Sequence, residues 1–170
     1  MRDWAALPRD ILLEIFGQLQ HADVLRGAGL ACASWWRAAV EEPTLWITID
    51  IHFNEGDHVN EQSWYARLAM GRAAVDRSAG RCESFRGIAD RDLLAYIAAR
   101  APSLRSLHVT SYGGRLLMST LIGLLEHCPH LEVLDAADCY TDQSLEFDML
   151  CRWHRKLKVL YLPVNAFTEH

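Results

Sequence analysis

Lysine is scarce in this chain of 170 residues: Lys156 and Lys158 are its only two, among 17 basic side chains. There is no basic excess either, since 22 Asp and Glu outnumber those 17 and leave a formal net charge of −5. Residues 1–50 carry 4 basic and 7 acidic side chains and residues 79–170 carry 10 and 11, so no segment forms the basic domain that nucleic-acid binding requires. The one local cluster, Arg152, Arg155, Lys156 and Lys158, reads as a solvated helix end. Long apolar runs are missing too. The longest, Leu116 to Leu125, is ten residues broken by Ser119 and Thr120, well short of the roughly 20 needed to span a bilayer. The first ten residues hold Asp3 and Asp10 and no apolar core of a signal peptide, which points to a protein that stays inside the cell.

Reactive chemistry is equally hard to find. Five cysteines, Cys32, Cys82, Cys128, Cys139 and Cys151, are an odd and scattered set, which argues for reduced and mostly buried thiols over a disulfide framework. His127, Cys128, His130, Cys139, Cys151 and His154 are the residue types zinc prefers, but no two pairs share a matched spacing, so no metal site is expected. No serine sits in a Gly-x-Ser-x-Gly elbow, and Gly113-Gly114 lacks the lysine and spacing of a phosphate loop. No catalytic residue and no cofactor is expected.

What the chain does have is apolar pattern, with 51% hydrophobic residues arranged in two rhythms. The first is helical. Pro8 can open a helix running to about Leu19, because its fixed φ suits the first turn and its missing N–H would go unpaired there anyway. In that helix Ile11, Leu12, Ile15, Phe16 and Leu19 form an apolar stripe wider than one small neighbour can cover. Asp23 is expected to N-cap a short second helix to Ala28. A third helix from Leu30 to about Val40 carries Cys32, Trp35 and Trp36, and Pro43 breaks it before Leu45-Trp46-Ile47. Fifty residues make a core that is marginal alone, so this region calls for a partner. Residues 51–63 are polar and aperiodic and read as a linker. A helix follows with Trp64, Leu68 and Val75 on one face, stopped by Gly80.

The second rhythm is a repeat. Leu104-x-x-Leu107-x-Val109, Leu131-x-x-Leu134-x-Ala136 and Leu157-x-x-Leu160-x-Leu162 share one template at intervals of 27 and 26 residues. Three residues further on, Cys139 and Asn165 supply the short polar group such a unit uses to bond the backbone as it leaves the strand, and Tyr112 departs from it. A shortened first unit starts at Cys82-x-x-Phe85, 22 residues before Leu104. Helical stretches from Asp90, Leu116 and Asp142 separate the units. Stacked units share one core, with parallel strands on the inner curve and helices outside. Alternation along the strands turns Leu107, Leu134 and Leu160 inward and leaves His108, Asp135 and Tyr161 on the open face, as the candidates for binding a target.

The run L7-P8-R9-D10-I11-L12-L13-E14-I15-F16, followed by D23-V24-L25, C32-A33-S34-W35-W36-R37 and P43-T44-L45-W46, resembles the F-box motif in order and spacing, with Ala33 standing where a basic residue is common and Ala31 where valine is usual. With the repeats, the chain resembles an F-box/leucine-rich-repeat protein, and its Trp64 to Gly80 segment is similar to plant members. The resemblance implies an α/β protein: an N-terminal three-helix F-box over residues 1–50, the linker, and a short leucine-rich-repeat solenoid over residues 64–170 with three clear repeats and one weak one. It further implies a substrate receptor of an SCF-type ubiquitin ligase, working in the nucleus or cytoplasm. The F-box would dock on a Skp-type adaptor and through it a cullin scaffold, while the repeats hold a protein substrate. Carried over position by position, the adaptor-binding residues are Leu7, Pro8, Ile11, Leu12, Ile15, Leu19, Trp35, Leu45 and Trp46. The alternative is a leucine-rich-repeat scaffold that binds proteins outside any ligase.

Overall fold

The computed structural model describes residues 4–53, 60–111, 115–116, 118–141 and 147–162. The chain opens with a 3₁₀ turn at Trp4–Ala6 and three α-helices: α1 (Arg9–Gln18), α2 (His21–Arg26) and α3 (Ala33–Glu41). Further 3₁₀ turns at Ala28–Leu30 and Pro43–Trp46 bracket α3. Pro8 stands just before α1, where its ring is harmless. Asp23 does not cap α2; it lies in the first turn, after Gln20 at the N-cap, where its charge suits the helix dipole and pairs with Arg26 at 2.7 Å. The third helix also begins later than the pattern suggests, because Ala28–Leu30 winds as a separate tight turn around buried Gly29, whose added Cβ would stand 2.7 Å from the Val24 carbonyl oxygen.

Strand β1 (Thr48–Asp50) follows directly and belongs to the sheet of the second half. Helix α4 (Glu61–Arg77) starts within the segment expected to be linker. Asn60 and Ser63 make it start there, each side chain accepting from the other's backbone N–H at 2.8 and 2.9 Å. Ile51 is buried as well, so the polar link is shorter than the composition indicates. Gly80, at φ +81°, lets the chain turn away after α4.

Strands β2 (Ser84–Ile88), β3 (Ser106–Thr110), β5 (Val133–Asp135) and β7 (Val159–Tyr161) join β1 in one parallel sheet of order β1-β2-β3-β5-β7. Helices α5 (Arg91–Arg100), α6 (Met118–His127) and α7 (Phe147–Lys156) connect them, and β4 (Arg115–Leu116) and β6 (Tyr140–Thr141) pair separately. The repeat dictates this register. Phe85, Leu107, Leu134 and Leu160 are successive partners across the sheet. The positions three residues earlier, Cys82, Leu104, Leu131 and Leu157, are all buried. The shortened first unit therefore stacks in phase with the regular ones. Cys139 donates its S–H to the Val109 carbonyl at 3.4 Å, the backbone role expected of that position; Tyr112, Gly113-Gly114, Asn165 and residues 163–170 lie outside the described residues.

A row of alternating charge, Glu83, Arg105, Glu132 and Lys158, runs along the strand entrances, with Lys158 2.6 Å from Glu132 and Arg105 between both glutamates at 3.7 and 3.9 Å. One continuous core joins the two halves, from Leu12 and Phe16 through Trp46, Ile49 and Ile51 to Leu134 and Leu162. Its hinge is Trp46, fully buried. The indole N–H donates to the Ala39 carbonyl at 2.9 Å, and the ring of His21 and the guanidinium of Arg77 lie 5.3 and 5.2 Å from it.

Candidate functional site

The stripe on α1 divides into two rows about 100° apart around the helix. Leu12 and Phe16 form the inner row, 2% and 3% exposed, with Phe16 meeting the edge of Trp35 at 5.6 Å between centroids. Ile11 and Ile15 form the outer row: Ile11 is exposed and Ile15 half-buried, and Leu19 is exposed at the end of the helix. Leu7 is half-buried and Pro8 exposed at the entry. Two of the nine residues carried over as adaptor-binding are buried within the chain itself. Leu12 is turned under the helix by its own periodicity, and Trp46 is enclosed by α3, α2 and α4, so neither presents surface. Trp35 and Leu45 lie half-buried between core and surface.

Exposed apolar side chains also occur at positions the stripe alone does not select. Trp4, Leu30 and Trp36 are also exposed on this module. The surface is braced from behind. The indole of Trp35 donates to the Trp4 carbonyl and Ser34 Oγ to the Ala5 carbonyl, each at 2.9 Å, while Arg9 reaches Glu41 and Glu42, both at 3.4 Å. The hydrogen bond from Thr44, with Arg9 assisting, holds the Glu42 carboxyl below the usual glutamate range. Below Leu19 a cleft of about 250 Å³ is lined by Phe16, His21, Leu45 and Ile47. His21 fixes its wall: Nδ1 accepts from the Asp50 N–H at 3.3 Å, so Nε2 carries the proton and donates to the Leu45 carbonyl at 2.9 Å.

On the sheet, His108, Asp135 and Tyr161 are brought into one row with Asp50 and Arg86 by the parallel register. His108 Nδ1 lies 3.4 Å from Asp135 Oδ2, its Nε2 lies 3.0 Å from Ser106 Oγ, and Tyr161 is exposed at the edge strand. Leu107 and Leu134 point into the core as expected, and Leu160 beneath the last strand is half-buried. Where the strands leave the sheet, a cleft of about 480 Å³ opens among His52, Phe53, Arg86, His108, Asp135 and Asp138. No sequence pattern selects Phe53 for this cleft; behind it Arg67 is buried, donates to the Ile51 carbonyl at 3.2 Å and stacks 4.8 Å from the Phe53 ring.

A family model described as F-box-like matches residues 4–52, the helices and turns just described together with β1. F-box/LRR-repeat protein 23 of Arabidopsis thaliana is 34% identical over 176 aligned residues, 99% of this chain and 37% of that protein. The chain carries an F-box-like domain at its start and is similar over nearly its whole length to plant F-box/leucine-rich-repeat proteins. F-box/LRR-repeat protein 22 of the same plant is 30% identical over 149 residues, covering 84% of this F-box protein and 45% of the relative. F-box protein SKIP19, also from Arabidopsis thaliana, is 35% identical over 115 residues, 63% and 35% of the two chains. Across these three and F-box/LRR-repeat protein 9, the F-box protein spans 35% to 54% of the relatives' lengths.

Its thiols do not form a reactive centre among the described residues. Burial pushes Cys82 and Cys139 up to about 12 and raises Cys128, so all three stay protonated and weakly nucleophilic near neutrality. No group of three His, Cys, Asp or Glu among the described residues is arranged to hold a metal ion. No helix among them is long and apolar enough to cross a membrane. What the chain offers chemically is surface: exposed apolar side chains on its helices and a polar cleft on its sheet.

Proposed function

We propose that this protein is the substrate receptor of an SCF-type ubiquitin ligase, acting in the nucleus or cytoplasm and leaving catalysis to other subunits. Residues 1–50 dock on a Skp-type adaptor, which joins a cullin scaffold, and residues 64–170 form a short repeat solenoid that holds a target protein. The mechanism is proximity: a tethered target meets the ubiquitin-charged enzyme at a high effective concentration.

The observation that carries this reading is surplus apolar surface. Of the seven large hydrophobic side chains exposed among the described residues, Trp4, Ile11, Leu19, Leu30 and Trp36 fall in the first fifty positions. Exposed aromatic and aliphatic groups clustered on one module suit a protein partner. Leu7, Pro8, Ile11, Ile15 and Leu19 are proposed as the contact ridge, Trp35 and Leu45 as its half-buried support, and Trp4, Leu30 and Trp36 as its flanks. The fully buried Leu12 and Trp46 shape the surface without touching the partner. His108, Asp135 and Tyr161 are proposed to meet the target.

Capture of a purified Skp-type adaptor by the full chain tests this. Ile11→Asp should weaken capture roughly tenfold or more, as a central interface residue does, while leaving the melting temperature nearly unchanged. An unmodified chain that fails to capture any adaptor overturns the ligase reading in favour of a binding scaffold.

A further inference from the structure

We propose that the cleft at the carboxyl ends of the strands takes an extended, polyproline-II-like segment carrying an acidic and a basic side chain three residues apart. The inference rests on the receptor reading, because it states what the sheet face selects in a target.

The cleft separates opposite charges across a fixed distance. Arg86 on β2, His108 on β3 and Asp135 on β5 are direct register partners. Neighbouring strands lie about 4.8 Å apart, so the cationic and anionic positions are spaced by about 10 Å. His108 between them is a spacer, with Nδ1 engaged by Asp135 and Nε2 by Ser106. The Arg86 side chain is 58% exposed. Its neighbour Asp50 stands 3.9 Å away and is held more closely by His52, at 2.5 Å, which leaves the guanidinium fork open to a second carboxylate. At the other end Asp135 is oriented through both oxygens, by His108 and by the Ala137 N–H at 3.2 Å, and Asp138 adds a second negative charge.

Among extended conformations the spacing selects one. A β-strand would place residues i and i+3 on opposite faces. A polyproline-II helix has three residues per turn and a rise of about 3.1 Å, so i and i+3 share a face about 9.3 Å apart, matching the separation of Arg86 and Asp135. Phe53 gives such a segment an aromatic wall, held in place by Arg67 stacked 4.8 Å from its ring.

An array of synthetic peptides tests this: proline- and alanine-rich 12-residue chains with one glutamate and one arginine, one to six residues apart, in both orders. The dye-labelled full chain should bind best at a separation of three and in one order only, each ion pair changing the signal about twofold to fivefold at low salt. The double variant Arg86→Glu/Asp135→Arg, which exchanges the two charges that set the spacing, should shift the preference toward the opposite order. A flat response to spacing, or an optimum that the double variant leaves in place, overturns the proposal. Adaptor capture is measured on the same preparations. Capture without a spacing optimum sinks this inference alone, and the optimum without capture sinks the ligase reading alone.

Discussion

The two halves of the molecule hide their apolar side chains with unequal success. Between successive units of the sheet the leucine rows are covered by the next unit and by the helices, so that Leu104, Leu107 and Leu134 are 0% exposed. In the N-terminal helices the side chains are as apolar, yet α1 is left with Ile11 and Leu19 at 39% and 36% exposure. The difference is one of geometry. A repeat supplies its own neighbour at a fixed interval, whereas a short three-helix module closes on a single inner seam and has nothing for its other faces. The module depends on the sheet even for that seam, since β1, Ile51 and Trp46 anchor it there.

The strongest way to break this asymmetry is to remove its hinge. Trp46→Ala deletes a fully buried indole and its hydrogen bond to Ala39, and should cost about 3–5 kcal/mol in urea unfolding of the full chain. Trp36→Ala, on the same module but 47% exposed, should stay within about 0.5 kcal/mol. Equal losses at the two sites would mean that the module's surface tryptophan is core after all.

A smaller change acts on the other side of the same joint. A Cβ added to Gly87 would stand 2.7 Å from Ile51 Cγ1, the side chain that follows β1 and lies under the sheet. Gly87→Ala should therefore destabilise the chain by about 1–3 kcal/mol through overpacking. Gly123 is the control, because a Cβ added there would meet nothing within 4 Å: Gly123→Ala in α6 should be neutral or slightly stabilising.

Much of the sheet is legible in the chain because its information is local and repeated. Leu104-x-x-Leu107-x-Val109 and its copies specify strand, inward face and register at once, and even the shortened unit at Cys82 obeys them. Strand β1 is not legible, because three residues carry almost no periodicity and the partner of Ile49 is Phe85, far along the chain. The helical site is legible as a stripe and not as a face. Whether Ile11 or Leu12 points outward depends on where Trp35 of α3 stands against Phe16, which is a tertiary fact. The cleft is half legible: alternation selects His108 and Asp135, while Arg86 joins them only through the register, and Phe53 through a stacking contact with Arg67, neither of which a local pattern encodes.

The smallest effect expected is also the most direct test of whether the halves unfold together. Lys158, hydrogen-bonded to Glu132 and assisted by Arg105, holds the Glu132 carboxyl below its ordinary value of 4.5. A carboxyl whose folded pKa is depressed contributes stability that is fully present above the unfolded value and is lost as pH falls through the folded one. Glu132→Gln should therefore lower stability near neutrality, and the deficit should shrink as pH drops below 4.5, because protonation removes the same charge from the unmodified chain. Five of the six tryptophans, Trp4, Trp35, Trp36, Trp46 and Trp64, lie well before the charge row that Glu132 completes. If the continuous core makes one cooperative unit, the unfolding midpoint reported by their fluorescence shifts as much as that reported by far-ultraviolet circular dichroism. A fluorescence midpoint that ignores Glu132→Gln while the dichroism moves would show that the helices and the sheet melt separately, and that Trp46 fastens them less firmly than its burial implies.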